Sequence, residues 1–195
     1  TGLVYDSGDY GGVLLKALET IGYEGWKDKQ KSALAEGRYI GIGMAFELTP
    51  EGGTIPGTMV AGYDSSSVRV GPDGTVRVLT GITSPGTHNG TAIAQIVADE
   101  LGIDIEGIEV LQGDTNSSPY GFGNYSGRST IVGGGSAALA AKDVRDKINA
   151  VAAALLEVEI DTLSLFEGIF SSSDNADATL TFAEVCYASY TRAYD

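Results

Sequence analysis

The sequence predicts an α+β fold, a mixed sheet with β-hairpins packed against several helices. Short alternating apolar runs flank two tight-turn signals, Gly71-Pro72-Asp73-Gly74 and Glu167-Gly168, which mark hairpins. Apolar residues at helical spacing recur near the start, in the middle and at the end of the chain. No repeat of fixed period and no internal linker interrupts the sequence, so residues 1–195 are read as a single domain of a size that supports a real core.

Residues 6–22 carry helical spacing through Val13, Leu14, Ala17, Leu18 and Ile21, with Asp6, Ser7 or Asp9 to cap the start and Gly22 to stop it. A more polar, lysine-rich helix follows over Glu24 to Ala35, ended by Gly37. Arg38 to Leu48 alternates like a strand, interrupted by Gly41 and Gly43, where glycine marks a bulge or a close approach. Thr58 to Val70 continues as strand, turns at Gly71–Gly74 and returns as Thr75 to Gly81; proline presets φ in that turn and glycine takes its strained position. A glycine-rich corner, Ser84 to Thr91, precedes a helix with Ile93, Ile96, Val97 and Leu101 on one face, capped by Asn89 or Thr91 and closed by Gly102. Glu100 falls in that apolar stripe and is read as reaching water at the helix end, the other option being a buried partner. Ile108 to Leu111 is a strand. A long helix runs from about Gly135 to Leu156 with the stripe Ala140, Val144, Ile148, Val151 and Leu155. Leu163 to Ser171 reads as a hairpin, and a last short helix runs from Thr181 to about Tyr190.

Composition excludes several classes of function. Twelve basic against twenty-six acidic residues give a net charge of −14, which argues against nucleic acid or an anionic membrane as partner. The lysines at 27, 29 and 31 and the group Lys142, Arg145 and Lys147 read as solvated helix faces. No apolar run approaches the roughly 20 residues that span a bilayer, and no secretory signal is visible, so a cytoplasmic location is expected. Cys186 is the only cysteine and His88 the only histidine, which leaves no intramolecular disulfide, thiolate cluster or histidine-based metal site in this chain. Cys186 sits in an apolar pattern that suits a small buried hydrophobe. No Ser-His-Asp or Cys-His pairing is present, so neither a catalytic residue nor a metal ligand is assigned.

Between Gln112 and Thr130 all hydrophobic periodicity is lost: Q-G-D-T-N-S-S-P-Y-G-F-G-N-Y-S-G-R-S-T. A loop this long inside a compact domain is more often a binding segment than a connection. Backbone N–H groups, hydroxyls and the Arg128 guanidinium are groups that hold phosphate oxygens, and a helix starts just downstream. The loop is read as gripping an anion.

With these residues in view, the sequence resembles the molybdopterin-binding large subunit of the xanthine dehydrogenase, aldehyde oxidase and carbon monoxide dehydrogenase family, along the whole chain. Glu36 to Gly43 is similar to its E-G-R-x-x-G-I-G strand, Ala94 to Ile103 and Gly113-Asp114-Thr115 match strongly, and Tyr125-Ser126-Gly127-Arg128-Ser129-Thr130 stands where many members read Y-G-S-R-S-T. The resemblance implies a molybdopterin, in some members the cytosine dinucleotide, whose molybdenum is held by dithiolene sulfurs instead of protein ligands. It implies hydroxylation of an aldehyde, N-heterocycle or CO-type substrate with oxygen from water. Ser126, Gly127, Arg128, Ser129 and Thr130 would contact the cofactor's phosphate region, with Gly86 and Thr87 near the pterin. Two departures stand out. Gly86-Thr87-His88 replaces a glutamine between two glycines, so a shorter side chain stands at that cofactor contact; His88 is read as a surface or helix-start residue. The family's G-x-G-E-P-type catalytic glutamate has no counterpart, and Glu167 and Glu184 lie in the wrong contexts. The chain is therefore expected to be part of a longer large subunit, inactive alone, whose partners are the rest of that subunit and FAD and iron–sulfur subunits or domains. A tendency to dimerise is expected of the piece alone. Two other readings stay open: a phosphate or nucleotide module, and a subunit-interface domain.

Overall fold

Turn chemistry and helix caps set most of the element boundaries in the computed structural model, which describes residues 7–47, 63–124, 127–175 and 177–192. Asp6 as a cap, residues 58–62 of the expected first strand, and Ser126 lie outside the described residues. The elements are helices and two small three-stranded sheets, an α+β fold as the sequence predicts. The chain forms two compact units, Thr1–Leu48 and Thr49–Asp195, where the sequence was read as one domain.

In the first unit, helix α1 spans Tyr10–Ile21. Asp9 caps it by accepting from the Gly12 N–H at 2.9 Å, and Gly22 ends it in the left-handed region. A single 3-10 turn, Tyr23–Gly25, leads into α2, Trp26–Ala35. The strand expected over Arg38 to Leu48 is absent through residue 47, the last one described. Alternation alone does not make a strand. The N–H and C=O groups need a ladder partner, and among the described residues this segment has none; instead the Ile40 carbonyl accepts from Gln30 Nε2 of α2 at 3.1 Å.

The second unit is built on strand β2 (Val76–Thr80), central in its sheet and buried at every position except Arg77. Strand β1 (Ser66–Val70) pairs with it antiparallel, Val68 opposite Val78. Their turn is closed by Gly74 N–H to the Gly71 carbonyl at 3.0 Å, and Asp73 accepts from the Thr75 hydroxyl at 2.7 Å. The first strand of this hairpin begins at Ser66; just upstream, the Ser65 carbonyl accepts from the Gly81 N–H at 3.0 Å and Asp64 forms an isolated bridge to Gly121. Strand β3 (Ile108–Leu111) lies parallel to β2 on its other side, Val78 opposite Val110, and helix α3 (Asn89–Leu101) makes the crossover. Asn89 and Thr91 were the expected caps of α3. The cap position belongs to His88, held at φ 54° with no side-chain cap bond, because its carbonyl already receives the Thr91 N–H at 3.0 Å. Glu100 does not simply reach water: its carboxylate meets Arg145 at 2.7 Å.

Helix α4 (Gly135–Leu156) spans the residues the sequence indicates and packs against β1, α3 and helix α5 (Phe182–Thr191). Its deepest line is turned one position from the expected stripe: Ala137, Ala141, Ile148, Ala152 and Leu156 are buried, and Val144, Val151 and Leu155 flank them. Alanine lets neighbouring elements approach more closely than valine does, so the smallest residues face inward. A second sheet orders β4 (Leu163–Phe166), β5 (Ile169–Ser172) and the two-residue β6 (Leu180–Thr181), all antiparallel. Glu167 and Gly168 both adopt positive φ, 48° and 75°, as a two-residue type I′ hairpin turn requires. Thr181 starts α5 with a reciprocal capping box to Glu184. One core joins Val76 and Val78, Ile82, Val97 and Leu101, the α4 line, Phe170, Phe182, Val185 and Cys186.

Cys186 is 1% exposed, and burial, with Asp73 nearby, pushes its thiol up to about 11. The thiolate is the reactive form, so Cys186 is expected to resist a thiol reagent at pH 8 until denaturant opens the fold, measured by the time course of labelling. Gly133 supplies a second check. A Cβ there runs into Ile82 Cγ1, so Gly133→Ala is expected to lower stability by about 1–3 kcal/mol in denaturant unfolding.

Candidate functional site

Parallel pairing places the carboxyl ends of β2 and β3 side by side, Leu79 opposite Leu111. Both segments singled out from the sequence leave from that edge: the glycine corner around Gly86-Thr87 after β2, and the long loop after β3. Ligands of open α/β sheets bind outside the carboxyl ends of parallel strands, because the chains leaving neighbouring strands open a crevice there. Helix α3 begins at the same edge and brings the N–H groups of Asn89 and Gly90, at the very start of its first turn, to it.

The loop folds back onto this edge by close backbone approach. A Cβ on Gly81 would lie 2.8 Å from the Gly121 Cα and 2.9 Å from the Tyr120 carbonyl carbon, so only glycine fits where the loop crosses the end of β2. Asp114 organises the first part, accepting from the Asn116 N–H at 2.9 Å and the Ser117 hydroxyl at 3.1 Å. Tyr63, Tyr120 and Phe122 cluster with ring centroids 5.6–6.0 Å apart, Phe122 edge-on to both tyrosines, on residues next to the bridge between Asp64 and Gly121.

The residues expected to grip an anion divide in two. Arg128 and Ser129 are turned inward. The Arg128 side chain is 1% exposed and its Nη1 donates to the buried carboxylate of Asp64 and, at 2.9 Å, to the Gly123 carbonyl. The Ser129 hydroxyl donates to Asn124 Oδ1. Gly127 and Thr130 are exposed at the start of a π-helical segment, Ser129–Gly134, that runs straight into α4. Thr130 borders a depression that also holds Asp99 and Asp104, which disfavours an anion on that side. The Arg128 and Ser129 side chains therefore hold the loop, and the described motif residues that face outward are the small ones, Gly127 and Thr130.

Gly86 is exposed at φ +105°, and a Cβ there would meet nothing. The Thr87 hydroxyl donates to Asn89 Oδ1 at 3.0 Å. Asn89 is 9% exposed, yet its Nδ2 has no hydrogen-bond partner, and neither has the buried Oε1 of Gln112. Gln112 lies over the first turn of α3, its Nε2 3.3 Å from where a Gly90 Cβ would be. A buried donor and a buried acceptor, each unmatched, thus mark the corner from the protein side.

Asp64, Gly81, Asn89, Gln112 and Gly121 were not singled out from the sequence as site residues. Only an acidic residue ahead of three serines could have flagged Asp64; its partner is 64 positions away. Burial pushes the Asp64 carboxyl above its ordinary value, opposed by the Arg128 guanidinium and by the Phe122 N–H. His88 stands exposed in the left-handed region, where a side chain costs roughly 1–2 kcal/mol and glycine costs nothing sterically but is the freer residue when unfolded. His88→Gly is expected to raise stability by about 0.5–1 kcal/mol, read from the denaturation midpoint.

Residues 16–195 match the family described as "Molybdopterin cofactor-binding domain". The carbon monoxide dehydrogenase large chain of Hydrogenophaga pseudoflava is 35% identical over 97% of this chain and 24% of its own length. The 6-hydroxypseudooxynicotine dehydrogenase complex subunit gamma of Paenarthrobacter nicotinovorans is 34% identical over 94% of this chain and 22% of its own. Among solved structures, quinoline 2-oxidoreductase from Pseudomonas putida 86 superposes with a TM-score of 0.68 at 29% identity, over 97% of this chain and 25% of that one. The chain thus spans about a quarter of the length of these relatives, which are large chains or subunits of larger enzymes. With the match running through both compact units and both loops of the carboxyl edge, the chain belongs to the molybdopterin cofactor-binding domain family.

Proposed function

We propose that this chain is the cofactor-binding portion of a molybdenum hydroxylase and holds a molybdopterin, as such or as its cytosine dinucleotide, by the phosphate end at the carboxyl edge of β2 and β3. The observation that carries this reading is the rooting of both family-matching loops at that one edge, with Asn89 Nδ2 and Gln112 Oε1 buried there unmatched. A pterin ring presents both donors and acceptors, so such a pair of carboxamides fits it. The exposed Gly86 corner leaves room for a flat group to approach. When bound, the cofactor supplies the redox chemistry that puts a water-derived oxygen on an aldehyde, N-heterocycle or CO-type carbon.

The chain's own residues do the holding. The 126–130 loop, through Gly127 and the backbone around Arg128 and Ser129, meets phosphate oxygens, while Thr130 borders the acidic depression and takes no part; the first turn of α3 adds N–H groups; Gly86 and Thr87 face the pterin. Thr87 is shorter than the glutamine of the family pattern and its hydroxyl is already directed to Asn89, so Gln112 becomes the longer carboxamide at this corner. The two compact units act as one molybdopterin-binding region, and the family match running from residue 16 to 195 supports that. Substrate turnover belongs to the complete large subunit working with FAD and iron–sulfur subunits or domains in the cytoplasm. Alone, the chain self-associates through apolar residues left at its surface, Val13, Met44 and Phe46 among them.

Expressed where cofactor synthesis is intact, the chain is expected to co-purify with pterin, read as its fluorescent oxidation product, and to show no substrate-dependent dye reduction. Pterin no higher than in an unrelated control protein sinks the reading. Thr87→Gln is expected to raise pterin per chain about fivefold, the net worth of one hydrogen bond; an unchanged yield removes residue 87 from the site.

A further inference from the structure

The Asp64 carboxylate and the Arg128 guanidinium are both buried at side-chain exposures of 0% and 1%, and they join parts of the chain far apart in sequence. Asp64 uses both oxygens on the same loop. Oδ1 accepts from the Phe122 N–H at 3.1 Å, and Oδ2 accepts from Arg128, whose Nη1 also reaches back to the Gly123 carbonyl at 2.9 Å. One carboxylate therefore ties the loop's outgoing arm at Phe122 to its return at Arg128. The bridge to Gly121 and the close passage of Gly121 over Gly81 pin that arm to the end of β2.

We propose that Asp64 is a positioning residue for cofactor binding: acting through Arg128, it closes the loop into the one shape that turns its backbone outward toward the phosphate. The assignment rests on the cofactor reading above and gives Arg128 a different part in it, as an internal strut that shapes the loop and leaves the anion to the exposed backbone. The guanidinium turns Nη1 onto a buried carboxylate and a backbone carbonyl, and both partners sit behind the surface that Gly127 and Thr130 present. Charge is matched within the pair, so the Asp64 carboxylate adds no solvent-facing negative charge beside the surface of Gly127 and Thr130.

The test compares the full chain with Asp64→Asn and with the double variant Asp64→Leu/Arg128→Met, which removes both charges at similar volume and so guards against simple misfolding. Amide exchange at Phe122 and at residues 127–131, and pterin recovered per chain, are measured on each. In Asp64→Asn, exchange is expected to quicken by about tenfold or more at those amides alone, and pterin to fall by about tenfold or more. The double variant is expected to regain the wild-type thermal midpoint without regaining pterin. Wild-type pterin in the double variant, or unchanged exchange at Phe122 in Asp64→Asn, overturns the assignment. Absence of pterin from the wild-type chain counts against the cofactor reading; the exchange rates then decide by themselves whether Asp64 shapes the loop.

Discussion

Burying the Asp64 carboxylate is the constraint on which the loop and its surface depend. Taking an ion out of water costs several kcal/mol even after relaxation, and removing one member of a buried pair is worse than replacing both. The structure answers with a guanidinium and a backbone N–H on a single carboxylate, the guanidinium reaching a carbonyl as well. Burial still holds the Asp64 carboxyl above its ordinary value. A carboxyl raised in this way contributes its stability below the unfolded value and loses it as pH rises through the folded one, so the ionised pair does not make the protein more stable at neutral pH. What it adds is geometry: two directional bonds to Arg128 and Phe122 admit one loop path where propensity admits many.

Close approach between backbones does the rest. Gly81 against Gly121 and Gly133 against Ile82 bring loop and π-helical segment onto the end of β2, and the alanine line of α4 lets that long helix settle against β1 and α3. Large side chains at these contacts would lift the loop off the edge and open a void beneath it. Tight packing, more than large apolar bulk, is what holds both glycine corners at the carboxyl end of a parallel strand pair.

Elements whose signals are local were legible in the residues. Pro72, Asp73 and Gly74 form their turn, Glu167-Gly168 forms the type I′ turn, Gly22 and Gly102 end their helices, and α4 keeps its expected span. Where a partner was needed, the residues were silent or misleading. Arg38 to Leu48 alternates like a strand but finds no ladder through residue 47, the last one described there. Glu100 looked like a solvated helix end because Arg145, its partner, lies on another helix. The α4 stripe was displaced by one position because hydrophobicity ranks valine above alanine, whereas the space between helices ranks them the other way.

The sequence by itself determined the class of fold, most turns and helix ends, the lack of a cysteine or histidine cluster, and the two glycine-rich segments worth watching. Each of these rests on covalent geometry or on neighbours within a few positions. Tertiary structure alone decided that the two segments share one edge, that Arg128 and Ser129 face inward, and that Asn89 and Gln112 are among the buried side chains left with an unmatched atom. The reason is distance along the chain. Asp64 and Arg128 are 64 residues apart, and nothing in the identity of either residue says whether its charge will meet water, a phosphate or the other. Burial chose, and burial is a property of the assembled fold.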